Sequence, residues 1–239
     1  MKSKYYFPHT ATVFFLLTVA VALFSWIGSI YGLGKVQSLL SPEGIRWELL
    51  RHAMGNFVQT PALGIVMMLF LGFGITVHSG VWGTLGRIVK RGKPISRKEK
   101  RALILAGCIL LVYIIMIICT TFAPWTMLRS VTGSLTNSPF QKGIYYLISF
   151  GVGLSGMAFG YASGRFRDDK DIIKGMSCLF SRFADYFVVL FFIVQFFSSL
   201  MYTNLVEWVG IDSYIVSYAF HICCYLPFAW MLNRKKIDC

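Results

Sequence analysis

Four polar side chains in or beside long apolar runs are of types that could bind a substrate or carry a proton. They are Thr60, Gln195, Asn204 and His221. Polar groups are costly in an apolar environment, so such residues mark either a binding site or a contact between helices. His221 is read as a proton carrier or as a histidine satisfied by a neighbouring helix, and Gln195 as a substrate contact or an interhelical hydrogen bond. The four residues are the predicted substrate-binding candidates.

The elements that must position these side chains are predicted from hydropathy. Of the 239 residues, 56% are hydrophobic and 14% charged, and the mean hydropathy is +0.64, so the chain has too little polar surface for a soluble globule. A bilayer core requires about 20 apolar residues of helix. Six segments meet this requirement: 11–32, 60–81, 102–123, 143–163, 185–206 and 213–232. We therefore predict an all-α integral membrane protein with about six transmembrane helices.

The basic residues fall unevenly on the two sides of these predicted spans. Most of the 23 Lys and Arg residues lie in segments on the side of the N-terminus, above all in the basic loop at 87–101. The positive-inside rule then predicts that both termini are cytoplasmic. The net charge of +13 is accounted for by contact with anionic lipid head groups rather than with nucleic acid.

Two further stretches are typical of amphipathic helices that lie at a membrane surface. SPEGIRWELLRHAMGN, residues 41–56, opens with a Ser cap and a Pro, and places Ile45, Leu49 and His52 or Leu50 and Met54 at helical spacing. RFRDDKDIIKGM, residues 165–176, offers Asp169 or Asp171 as the acid at a helix start. An apolar stripe follows it at Ile172, Met176, Leu179 and Phe183.

These elements repeat along the chain. Each half reads as span, amphipathic helix, span, span, and the second half enters the membrane from the opposite side. The order predicts a 3+3 inverted repeat with units at 1–123 and 124–239, which is the plan of many secondary transporters. The alternative is that six spans show this symmetry by accident.

Several kinds of site are not predicted. No span carries an acid near its middle, so a proton relay built from carboxylates is not expected. The six cysteines have no C-x-x-C spacing, so we expect neither a metal site nor a disulfide. No nucleophile–base set or phosphate-binding loop is present, and we therefore expect no enzyme, with no catalytic, cofactor-binding or metal-binding residues.

Two long stretches resemble the p-aminobenzoyl-glutamate transporter (AbgT) family. The first is SLLSPEGIRWELLRHAMGNFVQTPALGIVMMLFLGFGITVHSGVW, and the second is NSPFQKGIYYLISFGVGLSGMAFGYASGRFRDDKDIIKGMSCLFSRFADYFVVLFFIVQFFSSLMYTNL. Together they cover about half of the chain, in the same order as in the family. The pieces SPEGIR, SPF-x-KGI and DKDIIKGM carry most of the resemblance.

The resemblance implies a multi-pass protein of the bacterial inner membrane, a symporter coupled to sodium or protons. Its substrate would be small, anionic and aromatic, such as p-aminobenzoyl-glutamate, a related folate catabolite or a sulfonamide-like compound. The expected partners are the lipid bilayer and either a second copy of the chain in a homodimer or another membrane protein.

Family members are longer and carry two re-entrant hairpins with Ser-Asn-x-x-Ser-Asp-Ala-like and Gly-Ser-Ala-Ser-Ala-Lys-Trp-like motifs. Neither motif occurs in this sequence. We therefore expect a shortened form onto which no binding residue of the family is carried over. The alternative function is a non-transporting membrane scaffold or partner subunit.

Overall fold

The computed structural model describes residues 9–89, 95–122, 128–129, 134–136 and 138–234, and no strand occurs among them. In chain order the elements are α1 (Thr10–Ile30), α2 (Pro42–Gly44), a π-helix (Ile45–His52), α3 (Ala53–Gln59), α4 (Pro61–Ser79), α5 (Val81–Val89), α6 (Arg97–Phe122), α7 (Pro139–Ser163), α8 (Asp169–Arg182), α9 (Ala184–Tyr202), α10 (Leu205–Val209) and α11 (Ser213–Arg234). Helices α1, α4, α6, α7, α9 and α11 are long and apolar enough to cross a membrane. The predicted all-α membrane fold with six spans is therefore confirmed.

The ends of the spans are fixed by local capping chemistry. Ser138 accepts a hydrogen bond from the backbone amide of Gln141 at 3.2 Å, and Pro139 occupies the first helical position, so α7 begins four residues before the predicted start at 143. At its other end Gly164 adopts φ 78°, a left-handed conformation that glycine adopts at no steric cost. Polar capping residues therefore extend α7 beyond its apolar run.

The segment at residues 42–59, which we call the arm, begins as predicted and then departs from the predicted surface helix. Ser41 accepts from the amide of Gly44 at 3.0 Å, and Pro42 follows it. The predicted apolar positions Leu50 and Met54 are exposed, whereas Glu48 is only 5% exposed. Apolar side chains on a membrane protein are stable facing lipid, so it is the polar side of the π-helix that turns inward.

Helix α8 begins at Asp169, as the sequence predicts, and both candidate acids serve its start. The carboxylate of Asp171 accepts from the amide of Arg167 at 3.0 Å, and that of Asp169 accepts from the amide of Lys170 at 2.9 Å. On the predicted apolar stripe Leu179 is buried. The acidic patch therefore has a structural role in starting this helix.

The chain divides into two compact units. The described residues up to Gly64, with those from Phe183 onward, form the first unit, and the residues from Ile65 to Arg182 form the second. Each unit combines elements of both predicted repeat units, 1–123 and 124–239. The compact units are defined by contacts between residues, whereas the repeat is defined by the order and direction of the spans. The compact units therefore do not test the repeat, which stays a prediction.

Helix α9 is the centre of the first unit. Tyr186, Val189, Leu190 and Ile193 are fully buried along it. It packs against α1, α3 and α11, and the ring of Phe196 lies 5.8 Å from that of Phe14 on α1. A span that is covered on several sides can hold polar side chains away from lipid.

The second unit depends on close approach between the backbones of α4 and its neighbours. The hydroxyl of Ser149 on α7 accepts from the amide of Gly72 at 3.0 Å and donates to the carbonyl of Met68. In a regular α-helix the amide of Gly72 would donate directly to the carbonyl of Met68, four residues earlier. A Cβ on Gly72 would lie 2.0 Å from the carbonyl oxygen of Ser149, and one on Gly74 would lie 2.5 Å from that of Gly175 on α8.

Two features were not predicted. The short helices α5 and α10 each follow the second span of a predicted repeat unit. The expectation of no disulfide was wrong, because Cys178 on α8 is disulfide-bonded. A disulfide requires closeness in space and not in sequence, so the absence of C-x-x-C spacing could not exclude it.

Replacing Gly72 by Ala is expected to lower the thermal stability of the protein in detergent. The added methyl group would overlap backbone atoms of α7, and overpacking of this kind costs about 1–3 kcal/mol. Gly107→Ala on α6 is the matched control, since nothing lies within 4 Å of its new Cβ. Equal unfolding midpoints for the two variants would contradict the close backbone contact.

Replacing Asp171 by Ala is expected to loosen the start of α8 at neutral pH. The amide of Arg167 donates to this carboxylate and holds its pKa below the usual value. Because the folded-state pKa is depressed, the stabilisation is complete above the unfolded-state value and is lost as the pH falls through the folded-state value. Faster hydrogen exchange over residues 166–172 in Asp171→Ala at neutral pH would report the change.

The matched control for this variant is Asp168→Ala, since the Asp168 side chain accepts none of the hydrogen bonds recorded among the described residues. We expect wild-type exchange in the control at neutral pH. We also expect the difference between Asp171→Ala and the wild type to fade as the pH falls. Similar exchange in both variants would argue against a capping role for Asp171.

Candidate substrate cleft

A cleft of about 360 Å³ lies in the first unit, between the end of the arm, α9 and α11. Its polar lining consists of Asn56, Gln59, Thr60, Ser198, Ser217 and His221. The rings of Phe197 and Phe220 meet in its wall at a centroid distance of 5.4 Å and an interplanar angle of 63°. An apolar surface with a few polar groups is the usual composition of a small-molecule site.

Two of the four predicted site residues meet in this cleft. Thr60 lies at the joint between the arm and α4, where it is buried and donates to the carbonyl of Asn56 at 2.7 Å. His221 lies on α11, and its ring is 5.7 Å from that of Phe220. The structure thus brings together two residues that are 161 positions apart in the sequence.

Gln195 does not line the cleft. Its side-chain amide donates to the carbonyl of Ala53 in the arm at 2.9 Å, and the residue is 7% exposed. This contact lies about two helical turns before the end of α9 at Tyr202, so the arm reaches alongside the span rather than resting at its end. The interhelical hydrogen bond is the observed role of this residue.

Asn204 lies in the turn after α9, away from the cleft. It adopts φ 53°, a left-handed conformation that Asn tolerates better than most residues. Its amide donates to the carbonyl of Lys35 at 3.4 Å, and it lines a separate pocket of about 190 Å³. The geometry therefore joins Asn204 to the loop that follows α1.

A buried carboxylate stands behind the polar wall of the cleft. Glu48, on the π-helix of the arm, accepts a hydrogen bond from the hydroxyl of Ser198 and a second, of 3.5 Å, from the side-chain amide of Asn56. That amide also lies 2.5 Å from the Ser198 oxygen. Ser198 and Asn56 both line the cleft, so Glu48 is one side chain removed from it.

Sequence reasoning missed Glu48, Asn56 and Ser198. A search for acids in the middle of spans cannot find Glu48, because it belongs to the arm and reaches α9 only in the folded chain. The absence of acids from the middles of the spans therefore says nothing about a carboxylate that the arm brings against α9. The signal available in the sequence was the position of Glu48 itself, a charged residue next to the apolar positions predicted for the arm.

Replacing Ser198 by Ala is expected to destabilise the protein by about 1–3 kcal/mol, because the buried Glu48 carboxylate would lose a donor. The midpoint of thermal unfolding in detergent measures the effect. Ser213→Ala is the matched control, since Ser213 is exposed at the start of α11 in the same unit. Wild-type stability in Ser198→Ala would mean that the hydroxyl does not support Glu48.

Comparison with solved structures shows the fold. MtrF from Neisseria gonorrhoeae, described as one of a class of antimetabolite efflux pumps, aligns with a TM-score of 0.75 and 16% identity over 86% of this chain and 71% of its own. The YdaH transporter from Alcanivorax borkumensis, described as having an unusual topology, aligns with a TM-score of 0.72 and 16% identity over 85% and 74% of the two chains. The incomplete cover of both neighbours agrees with a shortened form of the fold.

Comparison of the sequence shows the family. A search of curated proteins gave no significant match. The sequence profile of the AbgT putative transporter family matches residues 86–218, which is more than half of the chain. The match includes α9 and the first part of α11, and so the part of the cleft that those helices form. The chain belongs to the AbgT putative transporter family.

Proposed function

We propose that this chain is an ion-coupled secondary transporter that binds its substrate in the cleft of the first unit. The proposed substrates are p-aminobenzoyl-glutamate, related folate catabolites and sulfonamide-like compounds. The observation that carries the proposal is the composition of the cleft, which combines two aromatic rings with amide, hydroxyl and imidazole groups. Its volume of about 360 Å³ lies within the range of ligand pockets.

The chemistry of the lining favours a small anionic aromatic molecule. The ring of such a substrate would pack against Phe197 and Phe220, since offset and edge-to-face contacts between rings are favourable. Its carboxylate would accept hydrogen bonds from His221 and from the amides of Asn56 and Gln59. Thr60 would complete the polar end, and Gln195 and Asn204 would hold the arm and the neighbouring loop in place.

The order of elements supports the proposed 3+3 inverted repeat. In each half the second span is followed by a short helix, α5 in the first half and α10 in the second. The middle of each second span also meets a carbonyl of an amphipathic helix, since α4 approaches Gly175 of α8 and α9 approaches Ala53 of the arm. Matching contacts of this kind favour a mechanism of alternating access, in which the two proposed repeat units move relative to each other.

The proposed setting is the bacterial inner membrane with both termini in the cytoplasm. The uneven distribution of the basic residues supports this orientation. In this orientation Thr60, between the arm and α4, would face the outside, together with the first half of α11 and the second half of α9. The cleft would then receive substrate from that side. A homodimer or a further membrane protein is the proposed partner.

A second candidate function is a non-transporting scaffold or partner subunit. The observation that favours it is the absence from the sequence of both hairpin motifs by which the family is expected to bind substrate and ions. Such a chain would form a stable complex in the membrane without moving a solute. A monomer in mild detergent would argue against it.

Cells that lack their own carrier and express this chain are expected to accumulate labelled p-aminobenzoyl-glutamate when an ion gradient is imposed. His221→Gln is expected to reduce the initial uptake rate, because the imidazole lines the cleft. Tyr218→Phe is the matched control, since Tyr218 lies on the same helix but is 61% exposed and outside the cleft.

The surface amount of each variant would be measured alongside uptake. Uptake reduced in His221→Gln and unchanged in Tyr218→Phe supports the cleft as the substrate site. Equal uptake by both variants would place the site elsewhere. No uptake by folded, inserted wild-type protein, together with a stable complex, would favour the scaffold function.

A further inference from the structure

Glu48 is a buried carboxylate whose charge is not balanced by an ion pair among the residues that the structure describes. It is 5% exposed, and the ion pairs recorded in the described ranges join Glu99 to Arg87 and Arg165, and Asp171 to Lys174. Both hydrogen bonds to Glu48 end on the same oxygen, Oε1. Its second oxygen, Oε2, takes part in none of the recorded hydrogen bonds.

The described surroundings of this carboxylate supply two hydrogen bonds and no ion pair. Moving an unpaired charge out of water is strongly unfavourable even after the protein relaxes, and two neutral donors on one oxygen offset only part of this. Binding a proton at Oε2 removes the charge and leaves both hydrogen bonds to Oε1 intact. Ionisable residues in such positions within membrane proteins commonly carry protons.

The position of Glu48 relates the proton to the substrate cleft. Ser198 and Asn56 each contact Glu48 and also line the cleft, so a ligand that moved either side chain would change the hydrogen bonds of the carboxylate. Glu48 also lies on a π-helix, an irregular form that is frequent at functional sites. The carboxylate is thus placed where proton binding and ligand binding affect each other.

Other ionisable groups around Glu48 must be considered as alternative proton carriers. Tyr202 on α9 interacts electrostatically with both Glu48 and Glu43. The arm itself carries Arg51 and His52, and α11 contributes His221 to the neighbouring cleft. Glu48 is the carboxylate among these that is both buried and in contact with the lining of the cleft.

We propose that Glu48 is a proton-binding site, and that a proton taken up from the side to which the cleft opens is the ion coupled to substrate movement. Only O–H bonds form or break: a hydronium ion gives its proton to Oε2 and becomes water, and on release a water molecule accepts the proton and becomes hydronium. The coupling role rests on the proposed transport function, whereas the binding of the proton does not. The two parts are therefore tested separately.

Infrared difference spectroscopy of the purified full chain in lipid tests proton binding. Between neutral and acidic pH we expect a C=O stretching band of a protonated carboxyl group in the wild type. Because the chain has ten acidic residues, this band has several components. One component should be lost in Glu48→Gln and kept in Glu207→Gln, a matched change of an exposed acid in the same unit. Ser198→Ala should shift the frequency of the band without removing it, because its hydroxyl donates to the carboxyl group.

The loss in Glu48→Gln and the shift in Ser198→Ala together support the site. A band that is the same in Glu48→Gln as in the wild type, or that Ser198→Ala leaves unshifted, overturns it. The Ser198→Ala result decides the matter if Glu48→Gln does not fold. A wild-type response to sodium at constant pH in place of the acid-dependent band also overturns the proposal, in favour of a metal cation.

Transport measurements in proteoliposomes test the coupling. Glu48→Gln is expected to lose the stimulation of uptake by an acidic outer solution and to keep the exchange of labelled for unlabelled substrate, because exchange requires no net movement of the coupled ion. Stimulation retained in Glu48→Gln overturns the coupling role. Absence of both uptake and exchange in the wild type refutes the proposed transport function, while the infrared result still decides whether Glu48 binds a proton.

Discussion

Buried polar groups must be satisfied from within the protein, because the lipid around a membrane-spanning chain offers them no hydrogen bonds. The three contacts that organise the two units follow from this constraint. Glu48 meets Ser198, the amide of Gln195 meets a carbonyl of the arm, and the hydroxyl of Ser149 meets the backbone of α4. Each contact holds an element against a span at one defined height, which apolar packing alone would leave less well specified.

The same constraint explains why the candidate site lies where it does. The arm brings Asn56 and Thr60 to α9 because its own polar groups must turn away from lipid, and α11 adds an aromatic and an imidazole surface. The result is a cleft between these helices that has both a polar and an aromatic surface. This composition suits a solute that has a ring and a carboxylate, which is the chemistry proposed for the substrate.

The division into compact units limits how the two halves of the chain could move in the proposed transport cycle. Each compact unit contains spans from both halves of the chain, so movement of one half necessarily changes contacts within both units. Gly72 and Gly74 allow α4 to approach its neighbours through backbone atoms, and such contacts have few alternative arrangements. The arm contacts α9 through the side chains of Glu48, Asn56 and Gln195 and through the rings of Phe57 and Phe191.

Much of the fold could be predicted because hydropathy and capping act locally. The number and approximate ends of the six spans, the cap at Ser41 and the start of α8 at Asp169 follow from runs of residues that are adjacent in the sequence. The short helices α5 and α10 were not predictable in this way. They are too short for periodicity to distinguish them from turns.

The sequence by itself determined that the chain crosses a membrane through helices, and its motifs indicated the family. Thr60 and His221 were also recognisable as polar residues in apolar surroundings. Only the tertiary structure decided that these two share a cleft, that Gln195 and Asn204 serve the backbone, and that Glu48 is buried against Ser198. The physical reason is that hydropathy depends on neighbours along the chain, whereas the satisfaction of a buried polar group depends on partners up to 150 residues away.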